Sequence, residues 1–279
     1  ITGLVLSLVL IITVILDNNA FLSQDFKSKW VLLAFCLVFP LVIGALAAFN
    51  FRFKNGITDK VAHLVFLFVL PLLTISMTEC LNNVFIYNMT YLGFRGNYIL
   101  VLILYFVFFA VSGSLRVSIL VVNPILYGLA LAHCYIMDFR GTPFIPMDFL
   151  SITTAVNVAN TYSYKLTHLV LTGSLIFIFI MVIGIKIRTP KYHIITKIVS
   201  RVFTGLFSAI ILSLFYFTSI FADAGVKPDF WNQTRGYKNY GFAFNFFCNT
   251  KYLFMSAPSG YDADNVADYA AAGYITGLG

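Results

Sequence analysis

Long apolar runs alternate with short polar breaks along this chain. Each run is close to the ~20 apolar residues that a helix needs to cross the hydrocarbon core of a bilayer. The runs cover residues 1–16, 30–49, 61–81, 97–112, 117–137, 166–187 and 200–221. This pattern predicts an all-α polytopic membrane protein with about seven transmembrane helices, and a transmembrane domain that extends over residues 1–221.

The composition supports a membrane protein. The chain is 60% hydrophobic and only 10% charged, whereas soluble domains carry roughly 25% charged residues. Its net charge of +7 would suggest nucleic acid as the partner of a soluble protein. In a membrane protein, basic residues instead flank the spans and set their orientation. We therefore predict membrane lipids as partners and no nucleic acid.

The basic residues of the loops predict an orientation. Loops 50–60, 113–116 and 186–201 carry nine Lys and Arg residues, whereas the alternate loops carry five. An excess of Lys and Arg is typical of cytoplasmic loops. The N-terminus is then cytoplasmic, and both the loop at 138–165 and the tail at 222–279 are on the outer side of the membrane, in a multi-pass membrane protein.

The loop at 138–165 has the pattern of an interfacial helix introduced by a rigid turn. Pro143 and Pro146 restrict the backbone at its start, and Asp148 stands where a helix N-cap would accept free amides. On a helical wheel the following residues separate into an apolar face, which includes Phe149, and an uncharged polar face, which includes Asn157. We predict an amphipathic helix at the outer membrane surface.

Two basic residues of this loop are candidates for binding a lipid headgroup. Arg140 offers a planar set of donors that matches phosphate, and Lys165 lies at the far end of the loop. Asp148 would cap the interfacial helix, and Asn157 would line its polar face. Alternatively, Arg140 forms an ordinary ion pair with Asp138 or Asp148, because such surface pairs are common.

A second, weaker candidate is a polar cluster formed by Glu79, His133 and His168. All three are predicted at the outer ends of spans, so they could meet in one outward-facing site. The alternative is that each contacts water at its own interface, which is routine for polar residues at span ends. We favour the alternative for this set.

The chain has no pattern that indicates an active site of its own. It contains no phosphate-binding loop, dinucleotide-binding motif or hydrolase elbow, and its tail has neither His nor Glu. Its four cysteines form no CxxC pair, so neither a zinc site nor a disulfide framework is predicted. We assign no catalytic residue, metal ligand or cofactor to this chain.

Two stretches resemble the lipoteichoic acid synthase-like family of phosphoglycerol transferases. The first comprises 140–149 (RGTPFIPMDF), 154–159 (TAVNVA) and 162–164 (YSY). The second comprises 241–242 (GF), 245–246 (NF), 251–253 (KYL) and 258–261 (PSGY). Together they cover roughly a quarter of the chain, and the spans between them are similar only in kind.

The resemblance implies a membrane domain followed by an extracellular domain of the sulfatase superfamily, in a bacterial plasma membrane. That domain would carry a threonine nucleophile and a divalent metal, usually Mn²⁺. It would move glycerol phosphate from phosphatidylglycerol to a glycolipid or polymer. None of its catalytic positions lies in this chain, so we expect 222–279 to be a linker that leads to a missing domain.

Two other functions agree with the same pattern. One is a transporter or flippase for an envelope lipid, which would need polar residues inside the spans. Those available are Asn123, Thr172, Ser174 and Ser208. The other is a non-catalytic membrane anchoring subunit whose tail binds a partner.

Overall fold

The computed structural model describes most of the chain between residues 29 and 251. The described residues are 5, 7–12, 29–48, 56–84, 86–151, 166–187, 190, 193–223, 225, 231–251 and 253. Within them all regular structure is helical, which confirms the all-α prediction.

Nine α-helices and two 3₁₀ helices are described, numbered here in chain order. The α-helices are α1 Lys29–Ala48, α2 Gly56–Leu81, α3 Tyr91–Ser112, α4 Leu115–Arg140, α5 His168–Lys186, α6 Ile194–Phe217, α7 Ile220–Asp223, α8 Gln233–Tyr240 and α9 Phe242–Thr250. The 3₁₀ helices are Ile86–Asn88 and Pro146–Ser151.

Five of these helices, α2 to α6, are long and apolar enough to cross a membrane. This confirms a multi-pass membrane protein, whereas the count of about seven spans is not reached within the described residues. The predicted run 1–16 is described as helix only over part of its length. The run 30–49 coincides with α1. The apolar segment of α1 is Ala34–Ala48, which is shorter than the five candidate spans.

The long helices form a bundle with α2, α4 and α5 at its centre. Helix α5 packs on α1, α2 and α4, and α4 also packs on α2 and α3. Helix α6 packs chiefly on α3, at the edge of the bundle. The core between these helices is apolar and includes Leu70, Ile119 and Ile180, none of which has measurable exposure.

The turn between α3 and α4 lies where the sequence predicts it. Gly113 adopts φ +70° and donates its amide to the Phe109 carbonyl, which ends α3. Arg201 of α6 then donates from Nε to the Ala110 carbonyl at 2.8 Å and from Nη2 to the Val111 carbonyl at 2.6 Å. A cation at this position satisfies free carbonyls and complements the helix dipole.

A buried polar network joins three helices in the middle of the bundle. Thr74 donates to Oδ1 of Asn123 at 2.7 Å, and Nδ2 of Asn123 donates to the Tyr105 hydroxyl at 2.8 Å. The Thr74 and Tyr105 hydroxyls lie 2.8 Å apart, and all three side chains are fully buried. The network therefore links α2, α3 and α4 by side-chain hydrogen bonds within the apolar core.

Replacing Asn123 with alanine should destabilise the bundle, because three hydrogen bonds of its side chain are lost. Side-chain hydrogen bonds between membrane helices contribute about 0.6–2 kcal/mol, and we expect a loss within that range. Unfolding by sodium dodecyl sulfate in mixed micelles measures it. Ser76→Ala is the control, because within the described part of the chain the Ser76 hydroxyl bonds only to Leu72 of its own helix. Equal losses for the two variants would contradict the prediction.

Helices α8 and α9 fold back onto the bundle, at the end where α2 and α4 finish and α3 and α5 begin. We call this the capped end, and α8 with α9 the cap. From the sequence, residues 222–279 are expected to form an extracellular linker, and the preference of Trp and Tyr for the headgroup zone predicts that the aromatic run at 237–254 lies along the outer surface. The structure instead buries the described part of this run, with Tyr237 2% exposed and Phe242 fully buried. Residues 233–250 therefore belong to the helical body. Aromatic side chains suit either a membrane interface or an apolar core, and here they pack into the core.

Candidate functional site

The carboxylate of Glu79 holds the start of α9 in place. Glu79 lies in the last turn of α2, and its side chain is 1% exposed. Its Oε1 accepts the amide of Phe242 at 2.8 Å, and its Oε2 accepts Nδ2 of Asn82 at 2.9 Å. Helix α9 begins at Phe242 and has no side-chain cap from Gly241. Glu79 thus supplies from another helix an acceptor for one of the free amides at the start of α9.

Asn97 of α3 fastens the same junction from the other side. Its Oδ1 accepts the amide of Phe244 at 2.9 Å, and its Nδ2 donates to the carbonyl of Tyr240, the last residue of α8. Thr90 adds a third attachment, because both its amide and its hydroxyl donate to the Asn239 carbonyl, at 2.9 and 2.8 Å. The backbone at the α8–α9 junction is therefore bound by side chains of α2 and α3 and by residue 90, which caps α3.

His133 joins this network through Asn82. Its Nε2 lies 2.9 Å from Oδ1 of Asn82, and its Nδ1 accepts the Phe144 amide at 3.3 Å. A backbone amide can only donate, so Nδ1 is unprotonated and Nε2 donates to Asn82. The imidazole also stacks on the ring of Tyr237, with centroids 5.0 Å apart. The structure therefore holds a neutral imidazole that links α4 to the cap.

The loop after α4 is closed by a two-pronged ion pair. Nη1 of Arg140 donates to Oδ1 of Asp148 at 3.0 Å, and Nη2 donates to Oδ2 at 2.9 Å. Nη2 also donates to the Pro143 carbonyl at 2.8 Å, and Oδ2 of Asp148 accepts the Ile145 amide at 2.9 Å. Paired bonds between a guanidinium and a carboxylate are the stronger and more directional kind of ion pair. They order residues 140–148 as one compact turn.

The closed loop packs directly against the cap. The Tyr237 hydroxyl donates to the Phe144 carbonyl at 2.7 Å. The Phe144 ring contacts Phe149 and Phe246, with centroids 5.2 and 5.5 Å away. Burial, and secondarily the negative charge of Asp148, raises the pKa of the Tyr237 phenol. The phenol therefore remains a donor, and the loop and the cap form one structural unit.

Two predicted site residues, Arg140 and Asp148, are brought together by the structure. The ion pair between them is the alternative that the sequence left open for Arg140, and binding of phosphate by Arg140 stays a prediction. Asp148 lies inside the 3₁₀ helix that starts at Pro146, and its carboxylate accepts the amide of Ile145, which precedes it. Capping of the interfacial helix by Asp148 stays a prediction, because that helix lies outside the described residues.

The weaker polar cluster is assembled in part. Glu79 and His133 are joined through Asn82, contrary to our expectation that each would serve its own interface. His168 is the first residue of α5, where Thr167 accepts the Val170 amide as N-cap. The predicted interfacial helix beyond Ser151 lies outside the described residues, as do Asn157 and Lys165.

Three residues of the site were not singled out from the sequence: Asn82, Asn97 and Tyr237. Each carries a polar group within or beside an apolar stretch, and such groups must find partners when they are buried. That signal was present for both asparagines. Their partners are backbone groups of the cap, however, and no periodicity in the spans predicts that the cap folds back.

Cys248 reports on whether the cap is docked. It lies on α9 and is 4% exposed, and burial raises the pKa of its thiol to about 12. At neutral pH its thiolate fraction is more than about 1,000-fold below that of an exposed cysteine. We expect monobromobimane to label it correspondingly slowly, and faster by about tenfold per pH unit. The test uses a background with Ala in place of the other three cysteines.

A single cysteine introduced at Tyr87, which is 80% exposed, supplies the matched control for labelling. Its thiol should react at the rate of an ordinary surface cysteine. If Cys248 labels as fast as this control in the folded protein, α9 is not docked as described.

The chain matches no protein-family model, no curated protein and no solved structure. The Mn²⁺ that the resemblance implies has no fitting set of ligands in the part of the chain described here, where no three His, Cys, Asp or Glu side chains come together. We therefore derive no step through a metal from these residues. What the capped end offers is a rigid, hydrogen-bonded platform at one end of a membrane bundle.

Proposed function

We propose that this chain is the membrane domain of a bacterial cell-envelope phosphoglycerol transferase, which anchors the enzyme and presents lipid-linked substrate at the capped end. The observation that carries the proposal is that the two stretches resembling that family pack together. Phe144 and Phe149 of the first stretch contact Phe246 of the second. These stretches are far apart in sequence, and their contact joins them in one structural unit.

The surface beside this contact suits a lipid-linked substrate. Phe139, Met147 and Leu150 expose 57%, 44% and 66% of their surface around the closed loop. Exposed apolar residues beside a polar loop are typical of surfaces that contact a membrane or lipid. In the proposed orientation the capped end is extracellular, so the loop would meet lipid headgroups of the outer leaflet.

The transporter alternative loses support from the bundle interior. Asn123 is committed to Thr74 and Tyr105. Ser174 bonds to Tyr127 and to the Val170 carbonyl, and Ser208 bonds to the Thr204 carbonyl. These polar groups satisfy one another or their own helix, as in a packed bundle. The non-catalytic anchoring subunit remains the alternative, and the experiment must distinguish it from the transferase.

The experiment uses the full-length protein encoded by the complete reading frame. Reading that frame beyond Gly279 should reveal a domain with a threonine nucleophile and metal ligands. In proteoliposomes that contain labelled phosphatidylglycerol and a glycolipid acceptor, we expect labelled glycerol phosphate on the acceptor. A frame without such a domain, or no transfer with it, would overturn the transferase and favour the anchoring subunit.

Arg140→Ala in that full-length protein should reduce transfer, because the loop loses the pair that closes it. Ion pairs of this exposure contribute about 1 kcal/mol, so we expect a decrease of roughly fivefold without loss of expression. Asp148→Ala should decrease transfer similarly, and the exchange Arg140→Asp with Asp148→Arg should restore part of it. If only Arg140 variants are impaired and the exchange does not help, Arg140 contacts phosphate instead.

A further inference from the structure

A lateral groove separates α3 from α6 near the capped end. The two helices touch at the opposite end of the bundle, where a Cβ added at Gly205 would lie 3.4 Å from Cβ of Ala110. Phe106 and Phe207 still meet edge to face one turn further along. Beyond them the helices separate, and α9 lies across the end of the gap.

All the described residues that line the groove are apolar. The lining consists of Gly96, Ile99, Leu100, Ile103, Ile211, Leu212, Phe215, Phe244 and Phe247. The enclosed part of the groove measures about 40 Å³, and the rest of it is open to the outside. Because α3 and α6 are both candidate membrane spans, the open side faces the hydrocarbon region of the bilayer.

Two cations flank the groove at its capped end. Arg95 is exposed, precedes Gly96 and lies one helical turn from Ile99, and its guanidinium stacks 3.8 Å above the Tyr91 ring. On the other side Lys251 is exposed, and its Nζ donates to the carbonyls of Phe215 and Thr218 at 3.3 Å. An apolar slot that ends between two interfacial cations has the charge pattern of an acidic amphiphile.

We propose that the groove binds one acyl chain of an acidic phospholipid, whose phosphate lies between Arg95 and Lys251. The narrowness of the groove favours a chain over a protein segment. Its enclosed part, about 40 Å³, suits a thin acyl chain, whereas a helix with its side chains is about 10 Å across. None of these residues belongs to the closed loop, so the inference does not depend on the transferase proposal.

Native mass spectrometry of the chain, released from nanodiscs into detergent, tests the binding. The nanodiscs contain phosphatidylglycerol or phosphatidylserine mixed with phosphatidylcholine. We expect the protein to retain one acidic lipid in preference to phosphatidylcholine. Leu212→Trp or Ile103→Trp should fill the groove and lower retention about tenfold, and Arg95→Gln should lower it about fivefold.

Matched controls separate the groove from the general lipid-facing surface. Ile210→Trp places the same side chain on an exposed position of α6 (57%), and Lys238→Gln removes a cation from α8, whose residues do not line the groove. Both should retain lipid like the parent. Equal retention in all the variants would overturn the proposal. A change of oligomeric mass in Leu212→Trp with unchanged lipid retention would also overturn it, because the groove would then hold a second copy of the chain.

Discussion

Replacing Glu79 with alanine is expected to release the cap from the bundle. The substitution leaves the buried Phe242 amide without its acceptor, and it removes the acceptor of one donor of the partly buried Asn82 side chain. Leaving a buried donor without its acceptor costs about 1–3 kcal/mol, so the loss of both bonds should cost the docked cap about 3 kcal/mol. The Asn82 side chain also bonds to His133 and to the Tyr237 carbonyl. Its displacement would extend the damage to α4 and α8.

Labelling of Cys248 measures this release directly. The population with an accessible Cys248 should rise by more than about 100-fold in Glu79→Ala, since each 1.4 kcal/mol is a factor of ten. The labelling rate of Glu79→Gln should lie between those of the parent and the alanine variant. Its amide oxygen can still accept the Phe242 amide, but its NH₂ group would face Nδ2 of Asn82, which is also a donor. Asp223→Ala removes an exposed carboxylate near the same end and should leave labelling unchanged. Parental labelling in Glu79→Ala would mean that the carboxylate does not hold α9.

The membrane bundle could be predicted from sequence because its signal is local. Residues 61–81 and 166–187 are apolar over a span's length, and they fall on α2 and α5. The break at Gly113 was equally readable, since a glycine between two apolar runs permits the positive φ that ends α3. Helices α2, α3 and α6 nevertheless start earlier than predicted, because their polar first turns extend beyond the apolar core.

The cap could not be predicted because its attachments are distant in sequence. Glu79 is the only glutamate of the chain, and its location at a span end was noted. However, the sequence around Glu79 does not predict that its side chain accepts the amide of Phe242. The same holds for Asn97 and Phe244. The interfacial preference of Trp and Tyr suggested a surface location for 237–254, and burial of Tyr237 and Phe242 in the bundle's end overrides it.

The closed loop is an intermediate case. Arg140 and Asp148 are close in sequence, so an ion pair between them could be foreseen as one of two possibilities. The second bond of Asp148, to the Ile145 amide, depends on the turn that Pro143 and Pro146 impose. From residue preference alone, an N-cap was predicted for this aspartate. A carboxylate accepts the Ile145 amide as readily as a free amide in the first turn of a helix, so the sequence does not distinguish the two partners.

Gly241→Ala should be at least as damaging as the loss of Glu79, although it removes no hydrogen-bonding group. Gly241 adopts φ 78° and ψ 169°, a region that is essentially restricted to glycine and costs other residues about 1–3 kcal/mol. An added Cβ would also lie 2.7 Å from Oε1 of Glu79 and 2.5 Å from Nδ2 of Asn97. It would displace both side chains that hold the junction of α8 with α9.

We therefore expect Gly241→Ala to cost about 4 kcal/mol, to lower the thermal midpoint in detergent and to expose Cys248 to bimane. Gly128→Ala is the matched control, because Gly128 lies inside α4 with nothing within 4 Å of an added Cβ. Alanine is the better helix former by about 1 kcal/mol, so this control should unfold at the same temperature or higher. A tolerated Gly241→Ala would mean that the cap does not approach Glu79 and Asn97 closely. The Glu79 experiment would then have to be reinterpreted as an effect confined to Asn82 and His133.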